Sequence, residues 1–259
     1  APHLAAEKGT AEASSPRATA EHEAAVLTAP AGSSLPFVPQ GFATFATNAG
    51  IKDETLDLGL VVSRVPANAA AVFTTNKYVG NPLIVGRKHI AKGKLNAVVV
   101  NSKNANVATG KQGRKDTITI CKRAAKELGI KRKQVFPSST GVIGHPLPVD
   151  AIEEALQGAS GRLVDPPDFE QFARAIMTTD TYPKVVARRV ENAVIVGVAK
   201  GVGMAEPNMA TVLAYFFTDA QIGSNKLQDM LEQVVAPTFN SMSIDSDTST
   251  SDTALIMAN

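Results

Sequence analysis

Short apolar, β-prone runs alternate with stretches of helical periodicity along most of this chain, and that alternation confines it to a layered α/β or α+β fold. Gly41–Thr47 (GFATFAT) alternates apolar with small or polar residues, as a half-buried strand does. Leu56–Val62 and Ala69–Thr74 are two more strand candidates, divided at Pro66-Ala67-Asn68, a turn signal. Leu95–Val100 (LNAVVV) suits a buried strand. Val185–Val190 and Ala193–Ala199 read as a hairpin turning at Glu191-Asn192, and Thr211–Thr218 (TVLAYFFT) is the strongest strand signal. Between these runs Arg114–Leu128 is amphipathic, with Ile118, Cys121, Ala125 and Leu128 on one face and Gly129 to end it. Pro148–Leu156, Phe169–Met177 and Leu227–Val235 read as further helices. Ala254–Ala258 begins another apolar run; a strand there needs partners, and the expectation is that the natural polypeptide runs further.

Composition restricts the chemistry. Lys and Arg total 26 against 24 Asp and Glu in 259 residues, a net charge of +2 that gives no electrostatic reason to expect nucleic acid or an anionic membrane as partner. No apolar run approaches the roughly 18 residues that span a bilayer. One cysteine, Cys121, excludes an internal disulfide framework and a Cys-rich zinc site, and its place in a helical core stripe reads as a buried thiol. Of four histidines, His3 and His22 fall in residues 1–36, an Ala, Ser, Glu and Pro-rich stretch too poor in large apolar residues to offset its ordering entropy, read as a disordered extension. That leaves His89 and His145, so a Ser-His-Asp or Cys-His triad is hard to staff. An enzyme made from this chain takes its base from elsewhere.

Three stretches rich in small and hydroxyl residues flank the strands. Pro137–Gly144 (PSSTGVIG) combines hydroxyls with glycines that let backbone N–H groups approach a ligand; it reads as an anion or oxyanion site or as an ordinary glycine turn. Lys200–Thr211 (KGVGMAEPNMAT) lacks the third glycine and the following helix of a dinucleotide loop, and is better read as a device that positions Thr211. Ser243–Thr253 (SIDSDTSTSDT) places aspartates among hydroxyls; it lacks the glycine and terminal Glu of an EF-hand, so a solvated loop is the default. Lys131-Arg132-Lys133 reads as a solvated basic turn, and His145 as a surface or capping residue.

Together these stretches resemble the ornithine acetyltransferase family (glutamate N-acetyltransferase, the ArgJ type). The likeness runs from about Gly41 to Asn259 through Asn104–Gly110 (NANVATG), Ser139–Gly144 (STGVIG), Ala175–Thr181 (AIMTTDT), Ala199–Ala220 (AKGVGMAEPNMATVLAYFFTDA) and Asp245–Thr253 (DSDTSTSDT). Lys103 stands where the family usually has glycine, and Val107 where many members have Ala followed by Cys.

The resemblance implies a DmpA/ArgJ-like fold, a layered sandwich of mixed β-sheets flanked by helices, and an N-terminal-nucleophile enzyme. It implies self-cleavage between Ala210 and Thr211, dividing an α segment (37–210) from a β segment that starts at 211 and continues beyond 259. The freed α-amine of Thr211 titrates near pH ~7.7–8.0 and serves as the base for its own hydroxyl, which answers the shortage of histidine. Thr140 and Gly141 become the oxyanion hole, and Thr178, Lys200 and Thr211 bind substrate. The implied reaction is ping-pong: N2-acetylornithine acetylates Thr211, ornithine leaves, and glutamate takes the acetyl group. No metal or cofactor is required, acetyl-CoA being an alternative donor in some members. Members assemble as α2β2 and occur in the cytoplasm or an organelle matrix, with no nucleic acid or membrane as partner. A Thr-nucleophile amidase or aminopeptidase of the same fold, and a non-enzymatic small-molecule-binding domain, are the competing readings.

Overall fold

The computed structural model describes residues 27–202, 212–242 and 248–259. The described chain reaches back into the stretch read from composition as a disordered extension. Strand β1 (Leu27–Thr28) pairs antiparallel with β2 (Phe37–Val38), and Leu35 between them enters the core. Residues 1–26 lie outside the described part.

Strand β3 (Phe42–Thr47) leads into β4 (Leu58–Phe73), a sixteen-residue strand that sequence divides into two. Pro66 was expected to mark a turn, because proline donates no ladder hydrogen bond. Instead the pairing register shifts between Val62 and Ala67, and the exposed Arg64, Val65 and Pro66 occupy the irregularity. Proline is tolerated at such a bulge, and a bulge bends its strand. β4 therefore pairs with β3 and β5 (Lys94–Asn101) along its first half and with β10 (Thr253–Ala258) along its second.

The remaining elements follow in order. They are α1 (Asn81–Ile90), α2 (Gly110–Leu128), β6 (Val135–Ser139), α3 (Val149–Leu156), α4 (Phe169–Ile176), β7 (Lys184–Val190), β8 (Ala193–Lys200), β9 (Leu213–Thr218) and α5 (Ser224–Val235). The large sheet runs β6-β5-β4-β10-β9-β8-β7, with β3 on the side of β4. It is mixed: β5 with β6 and β9 with β10 are parallel, the other pairs antiparallel. The run at Ala254–Ala258 is thus an interior strand, flanked by β4 and β9. Besides β1 and β2, sequence reasoning overlooked α1 and β6. In α1 no side chain caps the first turn, and β6 contains Pro137, which is tolerated because β6 is an edge strand.

Three apolar layers hold the fold. α2 and α3 cover one face of β3–β6 through Ile120, Cys121, Ala125, Ile152 and Leu156. Cys121 is fully buried there, and burial pushes its thiol up to about 12, so it is unreactive at neutral pH. A central layer joins Val61, Val98 and Phe136 of one half of the sheet to Val196, Tyr215 and Leu255 of the other. α4 packs into it through Phe169 and Phe172, whose rings meet Phe217 and Tyr215. Asp168 fixes the start of α4 by accepting the N–H groups of Glu170 and Gln171, both at 3.1 Å. α5 covers β9 and β10 through Leu227, Leu231 and Val235. Among the described residues no helix is long and apolar enough to cross a membrane.

Candidate functional site

A cleft of about 930 Å³ opens among the loop after β3, the turns after β5 and β6, the loop after α4, the end of β8 and the segment before β10. At its base lies Lys200, the last residue of β8 and only 4% exposed. Its ammonium donates to Thr140 Oγ1 at 3.1 Å and to Thr178 Oγ1 at 2.9 Å. Three of the expected site residues, from separate elements, therefore meet at one nitrogen. A lysine has three donors, so among the described residues one remains without an acceptor. A hydroxyl that accepts from the ammonium keeps its own hydrogen free to donate, which orients both threonines as donors. Burial lowers the Lys200 pKa, and Asp180 and Asp252 oppose that shift.

Thr140 and Gly141 follow the end of β6 and are zipped to the turn after β5. Thr140 N–H donates to Asn101 at 3.1 Å, Val142 N–H to Lys103 at 2.9 Å, and Ala105 N–H to Val142 at 3.0 Å. Gly141 has φ +132°, a conformation L side chains rarely adopt. A Cβ there would overlap the Lys103 carbonyl and lie 2.6 Å from its Cα. The Gly141 N–H has no acceptor among the described residues, so it is free to meet a ligand. Lys103 itself has φ +70°, in the left-handed region that favours glycine. The asparagine-rich stretch beside it forms a buried network: Asn106 donates to Gly113 and to Thr117, each at 2.9 Å, and Asn104 to Pro146 at 2.9 Å.

Thr178 is held from below by Asp180, whose carboxylate accepts the Thr178 N–H at 3.2 Å, the Gly201 N–H at 2.9 Å and the Lys184 ammonium at 2.6 Å. Burial pushes its carboxyl up, but Lys184 and the two backbone N–H groups together outweigh that and hold it below the usual carboxylate range. Asp180 thus fastens the loop after α4 to the end of β8. Lys52 also faces the cleft, donating to Leu56 and Met177 carbonyls at 2.8 and 2.7 Å; burial lowers its pKa. Its loop is pinned by buried Asp57, which accepts the N–H groups of Ala49, Ile51 and Lys52 at 2.6, 2.7 and 2.8 Å.

The hydroxyl-rich stretch read as a solvated loop is corrected where it is described. Ser249, Ser251 and Asp252 are buried, and Ser249, Thr250 and Ser251 line the cleft. Backbone and side-chain hydrogen bonds from Thr74, Asn76 and Gly80 hold the segment in place. Asp252, which sequence reasoning missed, accepts the Val212 N–H at 3.0 Å, and Val212 in turn accepts from Thr253 N–H at 3.0 Å. Ala210 and Thr211 lie outside the described residues, as does most of the glycine-containing loop before them. Neither His89, bonded through Nδ1 to the Val135 carbonyl at 2.7 Å, nor His145 lines the cleft. Among the described residues no three His, Cys, Asp or Glu side chains gather as a metal site requires.

Two oriented hydroxyls, a free glycine N–H and a buried ammonium, set in a mixed α/β sandwich, define a small-molecule site suited to an anion or a developing oxyanion. The ArgJ family model matches residues 43–259, and the chain belongs to that family. It is 49% identical over 222 residues to the arginine biosynthesis bifunctional protein ArgJ 2 of Clostridium acetobutylicum, covering 86% of this chain and 57% of the relative. It is 47% identical over 224 residues to the arginine biosynthesis bifunctional protein ArgJ of Thermus thermophilus, covering 86% and 58%. Among solved structures, the crystal structure of the arginine biosynthesis bifunctional protein ArgJ of Bacillus halodurans aligns with TM-score 0.59 at 38% identity, covering 66% of this chain and 91% of that one. Ornithine acetyltransferase of Mycobacterium tuberculosis, complexed with ornithine, aligns with TM-score 0.58 at 31% identity, covering 68% and 94%. The chain thus spans under two thirds of the length of these curated relatives.

Proposed function

We propose that the protein is a glutamate N-acetyltransferase that moves an acetyl group from N2-acetylornithine to glutamate through an acetyl-Thr211 intermediate, after cutting itself between Ala210 and Thr211. The observation that carries this reading is the Lys200 ammonium bonded to both Thr140 and Thr178 beside the open N–H of Gly141. These donors suit the oxygen of a tetrahedral acyl intermediate, where removing one donor typically costs about 10²–10³ in rate. Lys52, Lys103 and Lys200 line one cleft together with Asp53 and Glu54, a mixture of charges that suits amino-acid substrates carrying both an ammonium and a carboxylate.

In the proposed cycle the Thr211 hydroxyl attacks the acetyl carbon while its proton passes to the α-amine. The carbonyl electron pair moves onto oxygen, facing Thr140 and Gly141. Collapse breaks the bond to the ornithine nitrogen, which takes the proton as it leaves. Glutamate then enters and reverses the sequence. The reading needs no cofactor and admits acetyl-CoA as an alternative donor. It has the α and β segments stay packed as α2β2, in the cytoplasm or an organelle matrix.

The test is ornithine release from acetylornithine with and without glutamate, alongside the intact mass of the protein. Two fragments divided after Ala210, with release that depends on glutamate, are expected. Release indifferent to glutamate would make the protein a hydrolase, and an uncut, inactive protein would overturn the reading. Lys200→Met should lower kcat/KM about 10²-fold or more in the cleaved protein, since Thr140 and Thr178 lose the donor that orients them. Steady-state kinetics with acetylornithine check this, and a change under about threefold would remove Lys200 from the site.

A further inference from the structure

Of the three lysines that line the cleft, Lys200 is engaged at the base by Thr140 and Thr178, and the acyl-transfer steps leave the other two unused. Lys52 donates to the carbonyls of Leu56 and Met177 at 2.8 and 2.7 Å, which fixes its ammonium and leaves one of its three donors without an acceptor among the described residues. Lys103 is exposed. The ion pairs among the described residues join other groups, so neither ammonium meets a carboxylate at contact distance, Asp53 and Glu54 of the same cleft included. Asp57 and Asp180, the carboxylates that act on Lys52, are already committed, Asp57 to three backbone N–H groups and Asp180 to two and to Lys184. Burial lowers the Lys52 pKa against those two carboxylates, and the charges of Lys103 and Lys200 push it the same way, so the three cations share one electrostatic neighbourhood. Lys103 also holds φ +70°, which glycine adopts without strain. An exposed side chain without an ion pair does not offset that strain through stability; what it contributes is a positive charge at the cleft.

We propose that Lys52 and Lys103 form a second anion subsite in the cleft, which takes the side-chain carboxylate of the acyl acceptor and makes Lys103 a specificity-determining residue for an acidic amino acid. This rests on the acyl-transfer reading above. In that reading the donor and the acceptor occupy the cleft in turn, and they differ in the charge at the end of the side chain: an ammonium on acetylornithine, a carboxylate on glutamate. A positive charge from Lys103 attracts the second and repels the first, so it biases the cleft toward the acceptor. Lys52 supplies the fixed part of the subsite, since its stem is tied to two loops. Asp53 and Glu54 act in the opposite sense, and removing Lys103 leaves their charge less opposed.

The test is steady-state kinetics of Lys103→Gln, which keeps the length of the side chain and removes its charge. At saturating acetylornithine the KM for glutamate should rise about fivefold. The KM for acetylornithine should stay or fall, because a like charge has been taken from its path. Lys103→Arg keeps the charge and should hold the glutamate KM within about twofold of wild type. Added salt should raise the glutamate KM of the wild type more than that of Lys103→Gln, since screening acts on the charge that the variant lacks. Lys103→Gly should show the same shift in KM while melting no lower than wild type, because glycine relieves the positive φ. A Lys103→Gln protein with an unmoved glutamate KM overturns the proposal, as does an equal rise in KM for both substrates, which a structural role would give. A Lys103→Gly protein that melts lower with an unshifted KM places the side chain in the fold rather than in the site and overturns it too. Wild-type release of ornithine that ignores glutamate overturns the acyl-transfer reading and this inference with it, whereas glutamate-dependent release with an unmoved Lys103→Gln overturns the subsite alone.

Discussion

Thr211→Ala should leave the polypeptide in one piece and without acetyl transfer. The proposed cleavage begins with the Thr211 hydroxyl attacking the Ala210 carbonyl, which shifts the acyl link from nitrogen to oxygen, and a methyl group cannot make that attack. In the proposed cycle the same oxygen then carries the acetyl group and the amine released by cleavage is its base, so one substitution would remove nucleophile and base together. Groups that act as a unit lose nearly all of their joint contribution when one is removed, and the expected loss is at least about 10⁴ in kcat. The fold should survive, because β9 starts at Leu213 and is held on both sides by β8 and β10. Intact mass separates the outcomes: two fragments for the wild type, one mass for the alanine protein. Thr211→Ser keeps a hydroxyl and should still divide. An alanine protein that divides after Ala210 would show that another group makes the attack.

Sequence carried much of the framework because its signals were local. α2 was legible from the spacing of Cys121 and Ala125 and from Gly129, whose φ of +65° closes the helix with bonds back to Ala125 and Lys126. The hairpin of β7 and β8 and the strands β3, β5 and β10 were legible from apolar runs. What escaped depends on partners distant in the chain. Pro66 reads as a turn unless a bulge against β5 accommodates it, and Pro137 breaks a strand signal unless that strand is at an edge. In the site, Thr140, Thr178 and Lys200 came from resemblance, and no spacing rule could have joined residues from three elements at one ammonium. Asp180, Asp252 and Lys52 carried no local signal at all. Their roles exist because tertiary burial makes each charge seek a particular set of donors or acceptors. Lys103 was legible only as a departure, and its positive φ emerges only in the structure.

Gly141→Ala tests the same loop from the backbone side. Two effects act on it at once. The residue has φ +132°, which an L side chain adopts only at a cost of about 1–3 kcal/mol. The new Cβ would also overlap the backbone carbonyl of Lys103, which cannot swing aside as a side chain could. Relief requires the turn after β6 to part from the turn after β5, breaking the bonds of Val142 to Lys103 and Ala105 to Val142. Those bonds aim the Gly141 N–H and seat Thr140 over Lys200, so kcat/KM should fall at least about 10²–10³-fold, with stability lower by roughly 1–3 kcal/mol. Gly144→Ala is the matched control. Gly144 has φ +87°, but an added Cβ there meets nothing within 4 Å, so it bears the backbone cost without the overlap. It should lose about 1 kcal/mol of stability and keep most of its activity. Denaturant melts and steady-state kinetics on the pair separate the two effects. Equal losses in activity would mean that the close approach to Lys103 does not shape the site.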